Sequence, residues 1–141
     1  MLTRLKLILL LLSLAIVNVH AAETPLVDAG GRVAAYITED LTIYLWSGIP
    51  VAYLFPDNRR DDYHIYGFNG KHLGWLIKGI ARNDQGDAAC AIKAAPEFPP
   101  TEEIKESRPI KAIRDIPPLR PLFSLGWSEQ SCGRFLLHGA D

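Results

Sequence analysis

Few side chains in this sequence could carry out covalent or metal chemistry. After residue 21 there are three histidines, His64, His72 and His138, and two cysteines, Cys90 and Cys132. A thiolate with an imidazole base would make a nucleophilic pair, and either group could ligate a metal. Neither chemistry has its usual signature here, because no histidine stands at metal-ligand spacing from another histidine or cysteine, and no local motif surrounds either cysteine. His72 falls within an expected strand and reads as a surface or rim histidine. The acids gather in PDNRRDD, residues 56–62, which lacks both the ligand spacing and the glycine of a calcium loop and reads as a solvated insertion. Gly79 and Gly86 belong to turns, and no strand runs through them into a helix as a phosphate loop requires. The expectation is no catalytic residue, no metal and no cofactor. The competing enzyme reading is a hydrolase of an envelope polymer using Asp61, Asp62 or Asp84, and it requires that two of them meet in one cleft.

The opening residues set the compartment. Arg4 and Lys6 precede LILLLLSLAIV, residues 7–17, a run well short of the roughly 20 residues a spanning helix needs. Val19-His20-Ala21 then supplies an exit for signal cleavage after Ala21. Residues 1–21 are therefore read as a secretory signal, and the remainder as exported to the periplasm or medium with no stable transmembrane span. An uncleaved anchor is the alternative. In an oxidising compartment Cys90 and Cys132 are free to form a disulfide, or to remain two buried thiols. The formal net charge is −1 and becomes more negative once Arg4 and Lys6 are lost. Nucleic-acid binding, which needs a clustered basic surface, is not expected.

The elements that would position these groups are repetitive. Gly31, Gly48, Gly70 and Gly86 can be superposed so that LVDAGGRVAAYI, IYLWSGIPVAYL, IYGFNGKHLGWL and ARNDQGDAACAI (26–37, 43–54, 65–76 and 81–92) fall into register. Each copy has the pattern of a hairpin, with one strand running into X-Gly and another running out. Asn69-Gly70 and Gly30-Gly31 suit a two-residue type I′ turn, whereas Ser47-Gly48 and Gln85-Gly86 suit three-residue loops with glycine in the left-handed position. Alternation places Leu26, Ile37, Ile43, Leu54, Ile65, Leu76 and Ile92 on one face, beside small residues at 35, 52, 74 and 90. The other face carries Tyr36, Tyr44, Trp46, Tyr53, Tyr66, Phe68 and Trp75. A single sheet wetted on one side would not be apolar on both, so the aromatic face either binds an apolar ligand or receives another part of the chain.

A proline- and acid-rich stretch, residues 96–107, reads as a linker with a brief helical turn begun at Thr101. Beyond it, residues 108–125 parse as RPI KAI RDI PPL RPL FSL. Ile110, Ile113, Ile116, Leu119, Leu122 and Leu125 occupy every third place, the period of polyproline II. Arg108, Lys111, Arg114 and Arg120 form a second edge. The expectation is that residues 108–141 fold back as an extended tail with the aliphatic edge on the aromatic face and the basic edge in solvent. The alternative is an outward arm for an anionic membrane or an envelope protein.

The hairpins together with the three-residue repeat ending in RPLFSLGWS resemble the bacterial 4-fold beta flower family, over roughly residues 25–136. That resemblance implies an all-β fold of quasi-four-fold symmetry, a shallow barrel with an apolar centre, and a lipid-like or other apolar ligand suited to that shape. The fourth copy departs from the pattern, with Ala91 where the others carry Tyr or Trp. The function expected is a non-enzymatic binding or interaction module of the cell envelope.

Overall fold

The computed structural model describes residues 23–93 and 101–140. The signal segment with its cleavage after Ala21, and part of the linker, lie outside the described residues. Eight antiparallel strands close into a barrel in sequence order: β1 (Thr24–Val27), β2 (Val33–Ile37), β3 (Thr42–Leu45), β4 (Pro50–Pro56), β5 (Tyr63–Gly67), β6 (His72–Ile77), β7 (Ile80–Asn83) and β8 (Ala88–Ile92). The seam is closed by β1 pairing β8, with Leu26 opposite Ile92. Closure gives every strand two partners, so no sheet edge is left to recruit another chain.

Each glycine-centred unit is one hairpin of this barrel, and the four are in equivalent register. Leu26 lies opposite Ala35, Ile43 opposite Ala52, Ile65 opposite Gly74 and Ala81 opposite Cys90. A large residue thus faces a small one across three of the four pairs. This lets eight short strands converge on a narrow interior without overpacking. Leu26, Ile37, Ile43, Leu54, Ile65 and Leu76 are buried in that interior, whereas Ile92, expected with them, is 38% exposed at the end of β8.

The turns correct the sequence reading at Asn69-Gly70 and Gly30-Gly31. In all four hairpins the glycine alone takes positive φ, from 78° at Gly31 to 88° at Gly70. Its N–H donates to the carbonyl three residues back: Gly31 to Asp28, Gly48 to Leu45, Gly70 to Gly67 and Gly86 to Asn83. This is the three-residue loop with a glycine bulge, and the pairing shifts register beside each turn. A type I′ turn would need Asn69 or Gly30 at positive φ as well. Instead, the Asn69 side chain accepts from the Lys71 N–H, and Asp28 and Asn83 do the same in their loops, which stabilises the three-residue form.

The extended tail does not continue to the C-terminus. Cys132–Leu137 form a helix, α1, whose N-cap is Ser131, with Oγ accepting from the Arg134 N–H at 3.3 Å. Cys132, Phe135 and Leu136 are buried together with the barrel aliphatics, so α1 plugs the interior. Cys90 and Cys132 form a disulfide with Cα atoms 5.0 Å apart, which ties the helix to β8. Asn69 holds the far end of α1: its N–H donates to Gly139 O at 3.1 Å and its Nδ2 to His138 O at 2.7 Å. The sequence signal for this helix was present in S-CGRFLL, a cap residue followed by apolar residues at helical spacing.

Candidate functional site: an aliphatic belt over an aromatic barrel wall

Residues 101–124 form neither helix nor strand and run along the outside of the barrel past three of its glycine turns. No helical turn forms at Thr101, and docking has begun within the segment expected to be linker. The Glu103 N–H donates to Trp46 O and the Glu106 N–H to Gly48 O. Nine residues on, the Ala112 N–H donates to Phe68 O and the Asp115 N–H to Gly70 O, and after nine more the Ser124 N–H donates to Gly86 O. Nine residues is three steps of the three-residue period, so these three hairpins meet the same edge of the tail. The missing sixth bond has a covalent cause, since the position equivalent to Glu103 and Ala112 is Pro121, which has no N–H. The approach is also close: a Cβ on Gly48, Gly70 or Gly86 would overlap the carbonyl of Ile104, Ile113 or Leu122, whereas a Cβ on Gly31 would meet nothing within 4 Å.

The edge that docks is the opposite of the one expected. Ile104, Ile110, Ile113, Ile116, Leu119, Leu122 and Leu125 are all at least 92% exposed. The cations turn inward over the aromatic rings. Lys111 Nζ lies 4.1 Å from the Tyr53 ring centre, Arg114 Cζ lies 4.0 Å from Phe55 and 5.7 Å from Tyr66, and Lys105 Nζ lies 5.3 Å from Tyr36. Near the end the roles reverse, with Arg82 of the barrel 4.6 Å from the tail's Phe123. Four ion pairs add to this: Lys105 with Glu23, Arg108 with Asp40, and Arg120 with both Asp57 and Asp62. The choice of edge follows from the wall. Tyr36, Tyr44, Tyr53 and Tyr66 present ring faces flanked by carboxylates, and such faces attract cations more specifically than they attract aliphatic chains.

The aromatic residues singled out from the sequence therefore divide. Tyr36, Tyr44, Tyr53, Tyr66 and Phe68 are buried in the outer wall beside the tail, with Trp46 edge-on to Tyr36. Trp75 is buried elsewhere, against His72 and His64. Burial and the neighbouring Glu102 carboxylate push the Tyr36 phenol well above its ordinary range, and Glu102 is itself pushed up by burial and by Glu23. The apolar centre implied by the resemblance is filled by Phe135 and Leu136.

His72 is not a rim residue. It is buried, and the barrel register sets it beside His64, with His64 Nδ1 3.0 Å from His72 Nε2. The line continues at both ends, His72 Nδ1 lying 3.3 Å from Asp84 and His64 Nε2 3.3 Å from Asp57. Asp57 in turn holds Arg120 of the tail. Burial lowers the His64 pKa, with Asp57 opposing. Burial alone would raise Asp57, but the Asn58 N–H, His64 and Arg120 together hold it below the usual carboxylate range. The register of β5 on β6, which sets His64 opposite Trp75 and Tyr66 opposite His72, brings the two histidines together.

Asp61 and Asp62 line a hollow of about 360 Å³ with Leu76 and Lys78. Asp84 lines a different one, of about 350 Å³, with His72, Asp115 and His138. Among the described residues no group of three or more His, Cys, Asp or Glu side chains could hold a metal ion, and no helix is long and apolar enough to cross a membrane.

An eight-stranded barrel of four equivalent hairpins, wrapped by its own tail, agrees with what comparison finds. The family model described as "4-fold beta flower protein" matches residues 24–136. The chain belongs to the 4-fold beta flower family. The match spans the barrel, the tail and nearly all of α1, so the wrapped tail lies within the beta flower unit. No curated protein and no solved structure matches the chain.

Proposed function

We propose that this beta flower protein is an exported, non-enzymatic binding module of the cell envelope, periplasmic or secreted, and that its binding element is the outward aliphatic belt of the tail. One observation carries the reading. Seven aliphatic side chains of residues 104–125 are almost fully exposed on a segment whose opposite edge is pinned to the barrel. A segment selected only to cover the aromatic wall would gain nothing from aliphatic residues at every third outward place. Each such side chain is worth about 1.5–3 kcal/mol when a partner buries it. The short apolar run of residues 7–17, the Val19-His20-Ala21 exit and the Cys90–Cys132 disulfide support export, since disulfides persist in oxidising compartments.

The test is retention of the chain from residue 22 onward on a butyl matrix, compared with a variant carrying Ile113→Ser and Leu119→Ser. The parent should be strongly retained and the variant should elute clearly earlier, with unchanged near-ultraviolet circular dichroism. Equal retention of the two folded proteins would remove the belt as the binding element.

A further inference from the structure

We infer that the His64–His72 pair is an acid-operated latch for the tail: protonation of the pair releases residues 112–120 from the barrel while the eight strands keep their pairing. Position comes first. The middle crossing of the tail docks on the β5–β6 hairpin through Ala112 and Asp115, and this hairpin carries both histidines. His64 shares Asp57 with the tail, since its Nε2 lies 3.3 Å from that carboxylate and Arg120 pairs with the same group and, at 3.0 Å, with Asp62. His64 also stands opposite Phe55, the ring that Arg114 covers. His72 packs edge-on against Tyr66 with ring centres 5.1 Å apart, and the Tyr66 hydroxyl donates to Asp115 O of the tail at 2.9 Å. The tail between Ala112 and Arg120 thus rests on groups that the two imidazoles touch.

Charge sets the direction. While both rings are neutral, one N–H fills the 3.0 Å contact between His64 Nδ1 and His72 Nε2, and Asp57 is left to the Arg120 guanidinium. A proton on His64 makes Asp57 serve two cations, so Arg120 is held less firmly. Charging both rings sets two N–H groups against each other across that 3.0 Å, and the rings must part. His72 is buried and His64 lies against Trp75 and Tyr66, so the displacement passes to Tyr66 and the tail above it. The remaining charged neighbours do not cancel this. Asp84 faces His72 at 3.3 Å but is 41% exposed and screened by solvent. Lys71, Asp115 and His138 line the hollow beside His72, one acid among a cation and a third imidazole. Arg82, opposite Trp75 on β7, donates to Gly86 O and Ser124 O. The coupling is reciprocal: burial chiefly, and Arg120 as well, lower the proton affinity of His64, so bound protons lower the affinity of the barrel for Arg120. The latch is therefore closed above the ordinary histidine pKa of about 6.5 and opens as pH falls below it.

The experiment is nitrogen-15 NMR of the chain from residue 22 onward, titrated from pH 7.5 to 5, with the histidine ring protons followed in the same samples. The heteronuclear NOE of Ala112 to Ile116 should fall from the level of the barrel strands to that of a flexible segment as the imidazoles titrate. Glu103 and Glu106, docked on Trp46 and Gly48, should keep theirs, as should the amides of β1 to β3. His64→Gln should remove most of the loss at Ala112 to Ile116. Arg120→Gln should raise the His64 pKa by about 0.5 or more, a readout that needs no histidine variant to fold. NOE values at Ala112 to Ile116 that hold while both rings titrate would overturn the latch, and so would rings that stay neutral down to pH 5. Loss shared equally by tail and barrel would mean that acid unfolds the molecule instead of opening a latch. An equal loss in His64→Gln, or an unmoved His64 pKa in Arg120→Gln, would also refute it.

Discussion

Asp84, His72, His64 and Asp57 make a line of four groups joined by three contacts, each of which needs one proton to become a hydrogen bond. Two neutral imidazoles bring two protons. The third contact is filled only when one ring is charged, and burial makes that charge costly at His64 even with Asp57 beside it. A base whose pKa is lower in the fold than in the unfolded chain binds fewer protons when folded. Its contribution to stability is therefore complete above the ordinary histidine pKa of about 6.5 and is lost as pH falls through the lower folded value. Thermal denaturation between pH 7.5 and 5 should show the melting temperature falling with acidification, and His64→Gln should flatten that fall. An equally steep fall in the variant would show that the linkage lies elsewhere. Tyr66, Trp75, Asp57, Arg120 and His72 surround His64. Asp57, also held low, adds its own loss only below about pH 3.8.

The tail inverts the usual ranking of substitutions. Its apolar residues are the exposed ones, and its charged residues make the contacts. Arg114, itself exposed, spans Phe55 and Tyr66, and at an exposed site a cation over a ring contributes about 0.5–1 kcal/mol. Arg114→Ala should accordingly destabilise by about that amount. Ile116→Ser should leave stability within about 0.5 kcal/mol, as exposed substitutions do. Denaturant titration of both variants checks this. A larger loss for Ile116→Ser would mean that the aliphatic edge, after all, faces the barrel in solution. The glycine turns belong to the same element-scale fit, since Gly48, Gly70 and Gly86 need their missing side chain for the tail to pass, in addition to their left-handed backbone.

At the scale of the molecule, one chain supplies the wall, its outer wrapping and its inner plug. Eight strands of four to seven residues enclose little volume, and α1 completes the interior with Phe135 and Leu136. The helix has only six residues and would not persist alone. Its place depends on Asn69 at one end and on the Cys90–Cys132 bond at the other. The bond spans 42 residues of sequence, and removing it with Cys90→Ala and Cys132→Ala should cost about 2–4 kcal/mol. Chemical denaturation of that double variant is the measurement, and an unchanged midpoint would show that the plug is held by packing alone.

Local rules determined what depends on neighbours in sequence. The glycine spacing was enough to place the four hairpins and the large-small pairing of their strands, because strand alternation and turn chemistry act over a few residues. The three-residue period marked an extended tail for the same reason, and proline content excluded a helix there. The turn at Asn69-Gly70 was misread because both loop lengths suit Asn-Gly, and the closed barrel with its crossing tail selects between them. Only the tertiary structure decided which edge of the tail meets the barrel. The periodicity is symmetric between aliphatic and basic edges, and the choice is made by tyrosine faces and carboxylates contributed from β2 to β5 and their loops, with Glu23 before β1. The histidine pair was likewise hidden, since His64 and His72 become neighbours only through the register of β5 on β6. The tertiary fold thus turned the apolar edge outward, because the wall it crosses offers its rings and carboxylates to cations.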